Sequence, residues 1–572
     1  MKRRIASRCL AGLLTLIFTV TTLGTSLVEA STGDIDATIV AESLQVAKQV
    51  EAEGIVLLKN EDGVLPLATE QAVNVFGSAA IDPYYGSSGS GSIKSDTMIG
   101  FYDALSAAGI TYNDTLYQSY QTWYGKNGNH KEMPVSELDM TQAREYADTA
   151  ILMIGRSGSE GDDLTLEELQ LSADESSLID AVAKTFDHVI VLFNIANIME
   201  MGFLENYPSI QGAAIIWTPG EAGMESVAQM LAGQINPSGK LQDTIAYHVS
   251  DHPSTANFGD YTYADQKANF VEYEEGIYVG YRYFETFAKN EVLYPFGFGL
   301  SYTSFSLKIT DFCPQKNKAR VNVRVKNIGS YAGKEIVQAY MNPPMGADGR
   351  PQRELAAFAK TMLLQPGETQ DITLEISTEC FKRYCDCGEY RFCYIIEEGE
   401  YGIYVGTDVR SAELAGSCCV AETVIIERLQ QAMPPVRKLR RMRPVFDGDN
   451  IVVGYEEAPQ KEYDLHDRVM KGRPTVLQTT EDAGVKLRDV SQGKCTMDKF
   501  IAQLCEDDLM CIVRGEGMNS PKVTPGTASA FGGVTRRIFE FGIPVACCAD
   551  GPSGIRMDNG AKAASIPNGT CL

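Results

Sequence analysis

The sequence predicts an α/β protein: a largely parallel α/β domain, then a small antiparallel β-sandwich, then a second stretch of α/β pattern. Three observations carry this. Between about 35 and 245, apolar runs bounded by turn residues alternate with amphipathic helical stretches, the pattern of a sheet covered on both faces. Between about 319 and 407 the apolar period drops to two, as in Val321, Val323 and Val325 and again in Tyr401, Ile403 and Val405. From about 486 a helical stretch over 497–511 precedes a strand-like 544–549.

Taken in order, the first domain is expected to hold a helix over 39–53, a strand at 73–76, a helix around 98–108 and a strand at 150–154. An amphipathic helix over 172–186, strands at 189–193 and 213–217 and a helix over 224–231 follow. A Tyr/Phe/Gly-rich segment runs on to Phe305, so the domain is bounded at 35–305. The β-sandwich is bounded at 319–407, with Asn327-Ile328-Gly329 and Pro366-Gly367 as turns. Residues 408–485 carry Pro434-Pro435, a basic run from Arg437 to Arg443 and weak periodicity, and read as a linker or wrapping segment. Residues 486–572 form the last unit.

Composition narrows the function. A chain of 572 residues is long enough for three or more domains with unstapled cores. With 75 acidic against 50 basic residues the net charge is −25, which repels phosphate backbones and anionic lipid, so nucleic acid is excluded as a partner. The five histidines are scattered and no zinc signature occurs, so no metal or other cofactor is expected. Met-Lys-Arg-Arg, an apolar run from Leu10 to Val28 and the small-residue site before Ser31 mark residues 1–30 as a secretory signal, with an uncleaved membrane anchor as the alternative. Either way the protein is expected to be exported. After Cys9 no cysteine occurs until Cys313, and the cluster Cys380, Cys385, Cys387 and Cys393 matches no zinc spacing. Local disulfides or free thiols fit it better.

Chemistry concentrates in Gly155-Arg156-Ser157-Gly158-Ser159-Glu160-Gly161-Asp162-Asp163, which hangs an acidic, glycine-rich loop on the end of the apolar run Ala150 to Ile154. Ligands of open α/β sheets bind at strand C-termini. A carboxylic acid shielded there can have its pKa raised far enough to donate a proton near neutrality, which makes Glu160 the candidate general acid/base. The loop Gly86-Ser87-Ser88-Gly89-Ser90-Gly91-Ser92 superficially suggests a phosphate cradle but lacks the Gly-Lys-Ser/Thr ending, so no nucleotide is expected. No Gly-x-Ser-x-Gly elbow with a suitably placed acid and histidine supports a serine hydrolase.

Several separated motifs coincide: 54–66 (Gly-Ile-Val-Leu-Leu-Lys-Asn-Glu-Asp-Gly-Val-Leu-Pro), the Glu160 loop, 236–241 (Asn-Pro-Ser-Gly-Lys-Leu), 294–302 (Tyr-Pro-Phe-Gly-Phe-Gly-Leu-Ser-Tyr) and 550–556 (Asp-Gly-Pro-Ser-Gly-Ile-Arg). In this order they resemble glycoside hydrolase family 3, the β-glucosidase family, over about 40–407 and 486–572, in its inverted domain order. The resemblance implies an α/β sandwich domain, a fibronectin-III-like β-sandwich, and then the start of a (β/α)8 barrel, incomplete as it stands. It implies a retaining, exo-acting β-glycosidase, foremost a β-glucosidase, that takes a β-linked oligosaccharide or glycoside and uses two carboxylates about 5 Å apart. Glu160 falls on the family's acid/base and Asp163 on its neighbouring aspartate, while Leu164 stands where many members carry arginine. Asp550 and Arg556 fall on residues that hold sugar hydroxyls, the alternative being an Asp–Arg ion pair that closes a turn. Ser90 falls on the loop that leans toward the sugar.

The family's nucleophile, an aspartate of a late barrel strand, has no match. Thr310-Asp311-Phe312 is only a lookalike at the edge of the β-sandwich. A barrel needs ~200 residues, so the nucleophile is expected to lie beyond Leu572 and the chain alone to be inactive. The competing expectation is a non-catalytic carbohydrate-binding or scaffold remnant of such an enzyme.

Overall fold

A computed structural model describes residues 37–567, apart from 88, 94–96, 129, 159–162, 259–260, 263–268, 346–348, 436, 449, 519 and 558–562. The chain separates into Met1–Glu42 and Ser43–Leu572. Of the first unit only residues 37–42 are described, as the start of helix α1 (Ala37–Gly54). The expected leader, 1–30, therefore lies outside the described residues, among which no helix is long and apolar enough to cross a membrane.

Six strands build the first domain's sheet: β1 (Val56–Asn60), β2 (Ala72–Phe76), β3 (Thr111–Tyr112), β4 (Thr149–Arg156), β5 (His188–Ile195) and β6 (Ile210–Ile215). Their spatial order is β1-β6-β5-β4-β2-β3. All neighbours run parallel except β1, which lies antiparallel on β6. Successive side chains of a strand point to opposite faces, and here both faces are covered, which is why the strands read as unbroken apolar runs. On β5, Val189, Val191 and Phe193 enter one core with Leu178, Ile179 and Val182 of α4 (Ala173–Thr185) and Leu116 and Tyr120 of α3 (Asp114–Asn127). Ile190 and Leu192 enter the other, with Leu105 of α2 (Phe101–Ala107) and Met224, Val227 and Leu231 of α5 (Gly223–Leu231). Each such fully buried side chain contributes ~1.5–3 kcal/mol. From β2 the chain passes to β3 on one side and then to β4 on the other, so the C-terminal ends of β2 and β4 flank the sheet's topological switch point.

The second module packs a three-stranded sheet (Phe305–Gln315, Lys318–Asn327, Thr369–Ile376) on a four-stranded one (Glu354–Lys360, Ile336–Asn342, Gly399–Gly406, Glu413–Val420). Val321, Val323 and Val325 meet Val337, Ala339, Ile403 and Val405 in a shared core.

Between 408 and 485 there is more structure than the weak periodicity suggests. Glu413–Val420 pairs with Gly399–Gly406 inside the sandwich, and Arg440–Asp447 forms a hairpin with Asn450–Glu457. Charge holds that hairpin: Arg440 pairs with Glu274 at 2.8 Å, Arg441 with Glu456 at 2.7 Å and Arg443 with Glu456 at 2.8 Å.

The helix expected over 497–511 is two helices, Met497–Ala502 and Glu506–Arg514. The break has a local cause, because the Asp508 carboxylate accepts the Cys505 amide at 3.1 Å and starts a new helix there. In a (β/α)8 barrel neighbouring strands are parallel, whereas Ser529–Gly532 pairs antiparallel with both Glu516–Gly517 and Val545–Cys548.

Candidate functional site

Arg156, the last residue of β4, holds the base of the Glu160 loop. Its guanidinium makes paired hydrogen bonds to Glu175 at 2.6 and 2.7 Å. It also donates to the carbonyls of Glu168 at 2.6 Å and Gln170 at 2.8 Å. Both shoulders of residues 157–167 are thus tied to the strand end and to the start of α4. Burial pushes Glu175 up, but the Arg156 hydrogen bonds and charge, with the Ser172 amide, outweigh it and hold its carboxyl below the ordinary value. Glu160 itself lies outside the described residues; Asp163 is exposed.

The loop after β2 carries Tyr84, Tyr85 and the turn Gly89–Gly91, where Ser90 sits. Asn194 near the end of β5 fixes this loop. Its fully buried side chain accepts from the Tyr84 amide at 2.7 Å and donates to the Tyr84 carbonyl at 3.0 Å and the Trp217 carbonyl at 2.6 Å. One amide therefore links the loops that leave β2 and β6. Trp217 has φ +47°, a region that costs a non-glycine residue ~1–3 kcal/mol and persists only where surroundings impose it. Its indole nitrogen donates to the Gly54 carbonyl at 2.7 Å.

The 550–567 segment docks on these same loops. Ser553, 5 % exposed, donates its hydroxyl to the Gly91 carbonyl at 3.1 Å, one residue from Ser90. Ser565 donates its hydroxyl to the Ser553 carbonyl at 3.0 Å. Buried Glu221, after β6, accepts from the Thr97 hydroxyl and from the Ser565 amide, the latter at 3.5 Å. The Asp550 loop is a tight turn in which the Arg556 amide donates to the Asp550 carbonyl at 2.7 Å. Glycine is obligatory in it, since a Cβ at Gly551, where φ is +118°, would lie 1.8 Å from the Gly554 carbonyl oxygen. Asp550 and Arg556 also form an ion pair at 3.7 Å, with side chains 31 % and 46 % exposed. At that exposure the pair is worth ~0–1 kcal/mol, so it closes the turn while leaving the carboxylate open to solvent.

A second titratable group lies beside the β2 loop. Glu132 accepts from the amides of Ser78 and Met133, both at 2.9 Å, and from the Tyr120 hydroxyl at 3.2 Å. Burial nevertheless pushes its carboxyl up to about 7. Two residues before it in the chain, His130 stacks its ring on Tyr84 with centroids 4.1 Å apart.

Of the residues singled out in the sequence, Asp550, Arg556 and the Ser90 turn are brought to one place, at the strand ends from which the Glu160 loop also departs. Asn194, Glu221 and Arg156 were not singled out. Asn194 left a signal, a polar residue inside the apolar run from Val189 to Ile195; Glu221 left none.

Loops that leave β2 and β6, met by a docked segment that carries the Asp–Arg turn, define the class: an α/β scaffold with polar loops gathered at the sheet's switch point. Residues 55–281 match the glycosyl hydrolase family 3 C-terminal domain, and 335–409 match the fibronectin type III-like domain. The chain is 40% identical over 548 residues to a β-glucosidase of Ruminococcus albus, covering 93% of this chain and 56% of that protein. It is 31% identical over 609 residues to β-glucosidase A of Butyrivibrio fibrisolvens, covering 92% and 71%. A solved β-glucosidase of Paenibacillus barengoltzii superposes with a TM-score of 0.84 at 40% identity, covering 92% of this chain and 59% of that one. The protein belongs to glycoside hydrolase family 3. It spans a little over half the length of the first of these relatives.

Proposed function

We propose that the protein works as part of a retaining, exo-acting β-glycosidase, foremost a β-glucosidase, acting on β-linked oligosaccharides or aryl glycosides. Glu160 is the acid/base, Asp550 and Arg556 hold hydroxyls of the terminal sugar, and Ser90 lines the approach. The observation that carries the reading is the docking of the Asp550 loop on Gly91, beside the strand end that bears Glu160. A carboxylate accepts two hydroxyl protons at once and a guanidinium donates to others, which suits them to a pyranose. Retention also requires a second, nucleophilic carboxylate, and no residue of 37–567 is assigned that role. The β-glucosidase relatives support glucose as the sugar, and the basic start with the apolar run from Leu10 to Val28 supports export, as a secreted or membrane-anchored protein.

The test is made in an active enzyme that contains this chain. Glu160→Ala should slow a natural β-glucoside by ~10²–10⁴-fold while an aryl glucoside with an activated leaving group, which needs little protonation, loses much less. Equal loss on both substrates, or none, removes Glu160 from the role. A protein that binds glucosides without turning them over would favour the non-catalytic remnant.

A further inference from the structure

A cavity of about 530 Å³ lies away from this site, where the Tyr/Phe/Gly-rich segment, the β-sandwich and the Arg440–Glu457 hairpin meet. None of its lining residues belongs to the strand-end loops or the Asp550 turn described above. Its volume is that of an ordinary small-ligand site. Apolar surface comes from Met341, Leu355, Ala356 and Met442, and aromatic surface from Tyr278, Tyr384 and Tyr394. Tyr384 and Tyr394 face each other across paired strands with ring centroids 5.6 Å apart. The Lys382 ammonium lies 5.2 Å over the Tyr394 ring. Tyr384, 41 % exposed, keeps its ring accessible.

The charged lining is arranged unequally. Arg350 is held by Glu354 at 2.7 Å, Lys382 by Glu379 at 2.5 Å, Arg383 by Glu397 at 2.5 Å and Arg441 by Glu456 at 2.7 Å. Arg282, half-buried on the helix Tyr281–Phe287, lines the same cavity, and its guanidinium has no ion pair or hydrogen bond among the described residues. Tyr278 adds a buried hydroxyl that also lacks a partner. In a protein of net charge −25, a cavity-lining guanidinium without an acidic partner among the described residues keeps its donors available to an anion.

The geometry points to a second carbohydrate site here, one that takes a pyranose bearing a carboxylate, of mono- to disaccharide size. Arg282 binds the carboxylate through two parallel N–H donors. Tyr384 offers a face to the C–H side of the ring, and the surrounding paired side chains offer acceptors and donors to its hydroxyls. The site is independent of the catalytic reading and needs neither Glu160 nor a nucleophile.

Isothermal titration calorimetry on the full chain at low ionic strength tests this, with glucuronic acid, glucose and acetate as probes. Only heat that disappears with Arg282 counts, which sets aside any sugar bound at the Asp550 turn. Glucuronic acid should bind with one site per chain, and both Arg282→Ala and the volume-preserving Arg282→Gln should weaken it by at least ~10-fold with an unchanged thermal midpoint. Tyr384→Ala should weaken it several-fold. Acetate or glucose bound as tightly as glucuronic acid in an Arg282-dependent way would overturn the ligand class. Glucuronic acid binding that is absent, or unchanged in both Arg282 variants, would overturn the site.

Discussion

Asn194→Ala is the sharpest probe of how the β2 and β6 loops are held together. The native amide closes three hydrogen bonds, with the Tyr84 amide, the Tyr84 carbonyl and the Trp217 carbonyl, at a position with no solvent exposure. Truncation leaves one backbone donor and two acceptors buried without a partner, each costing ~1–3 kcal/mol. Taking the lower figure for each of the three gives about 3 kcal/mol, a large share of the ~5–15 kcal/mol that holds a domain together. Asn194→Asp separates geometry from volume: its carboxylate still accepts from the Tyr84 amide but faces two carbonyl oxygens with no proton to give, so it should be no more stable than the alanine variant. Urea denaturation gives the loss, and amide hydrogen exchange locates it. Exchange should accelerate in the β2 loop around Tyr84 and the β6 loop around Trp217, while β5 itself stays protected. A loss under ~1 kcal/mol, or exchange rising evenly across the domain, would show that the two loops do not depend on this amide.

Glu132 should make stability fall with rising pH. Its carboxyl is raised from 4.5 to about 7, so the unfolded chain releases the proton first; the contribution is complete below about pH 4.5 and is lost as pH climbs through 7, amounting to about 3 kcal/mol. Denaturation curves at pH 5 and pH 8 should diverge less in Glu132→Gln, and parallel pH dependences in the two proteins would refute the assignment. Arg156 and Glu175, each 14 % exposed, should show a coupling of at least ~1 kcal/mol in a double-mutant cycle of alanine variants, whereas additive losses would mean that the pair does not anchor the Glu160 loop. Gly220→Ala places a Cβ 2.6 Å from the Ile566 carbonyl carbon at φ +65°, so proteolysis of the chain near 563–567 should quicken while the sheet's own melting changes little; unchanged cleavage would count against docking of that segment.

The strands of the first domain were legible because burial on both faces leaves unbroken apolar runs; the run Ala150–Ile154 is indeed part of β4, while Glu160 after it lies outside the described residues. Their edges were less so: β4 extends to Arg156, whose side chain spends its donors on the loop it precedes. The hairpin Arg440–Glu457 escaped a hydrophobic reading because its strands are secured by arginines whose acidic partners, Glu274 and Asp386, lie far off in the sequence. Asn194 was visible as an exception within an apolar run, yet its role depends on Tyr84 and Trp217, which only the folded sheet brings within reach. Glu221 shows the opposite limit: a glutamate after a Pro-Gly turn carries no mark of the Thr97 and Ser565 groups it receives.

The contact between Ser553 and Gly91 spans 462 positions of the chain. During synthesis the α/β domain emerges first and can fold as a unit, so its strand-end loops stand open to water throughout the making of the β-sandwich and everything up to residue 550. The Asp550 loop follows only after them. A ribosome-bound chain halted before that point would present Tyr84, Gly91 and Glu221 without the segment that packs on Gly91 and Glu221. A lesion that keeps residues 550–557 and 563–567 from seating would leave a folded α/β domain with the Gly91 and Glu221 loops uncovered.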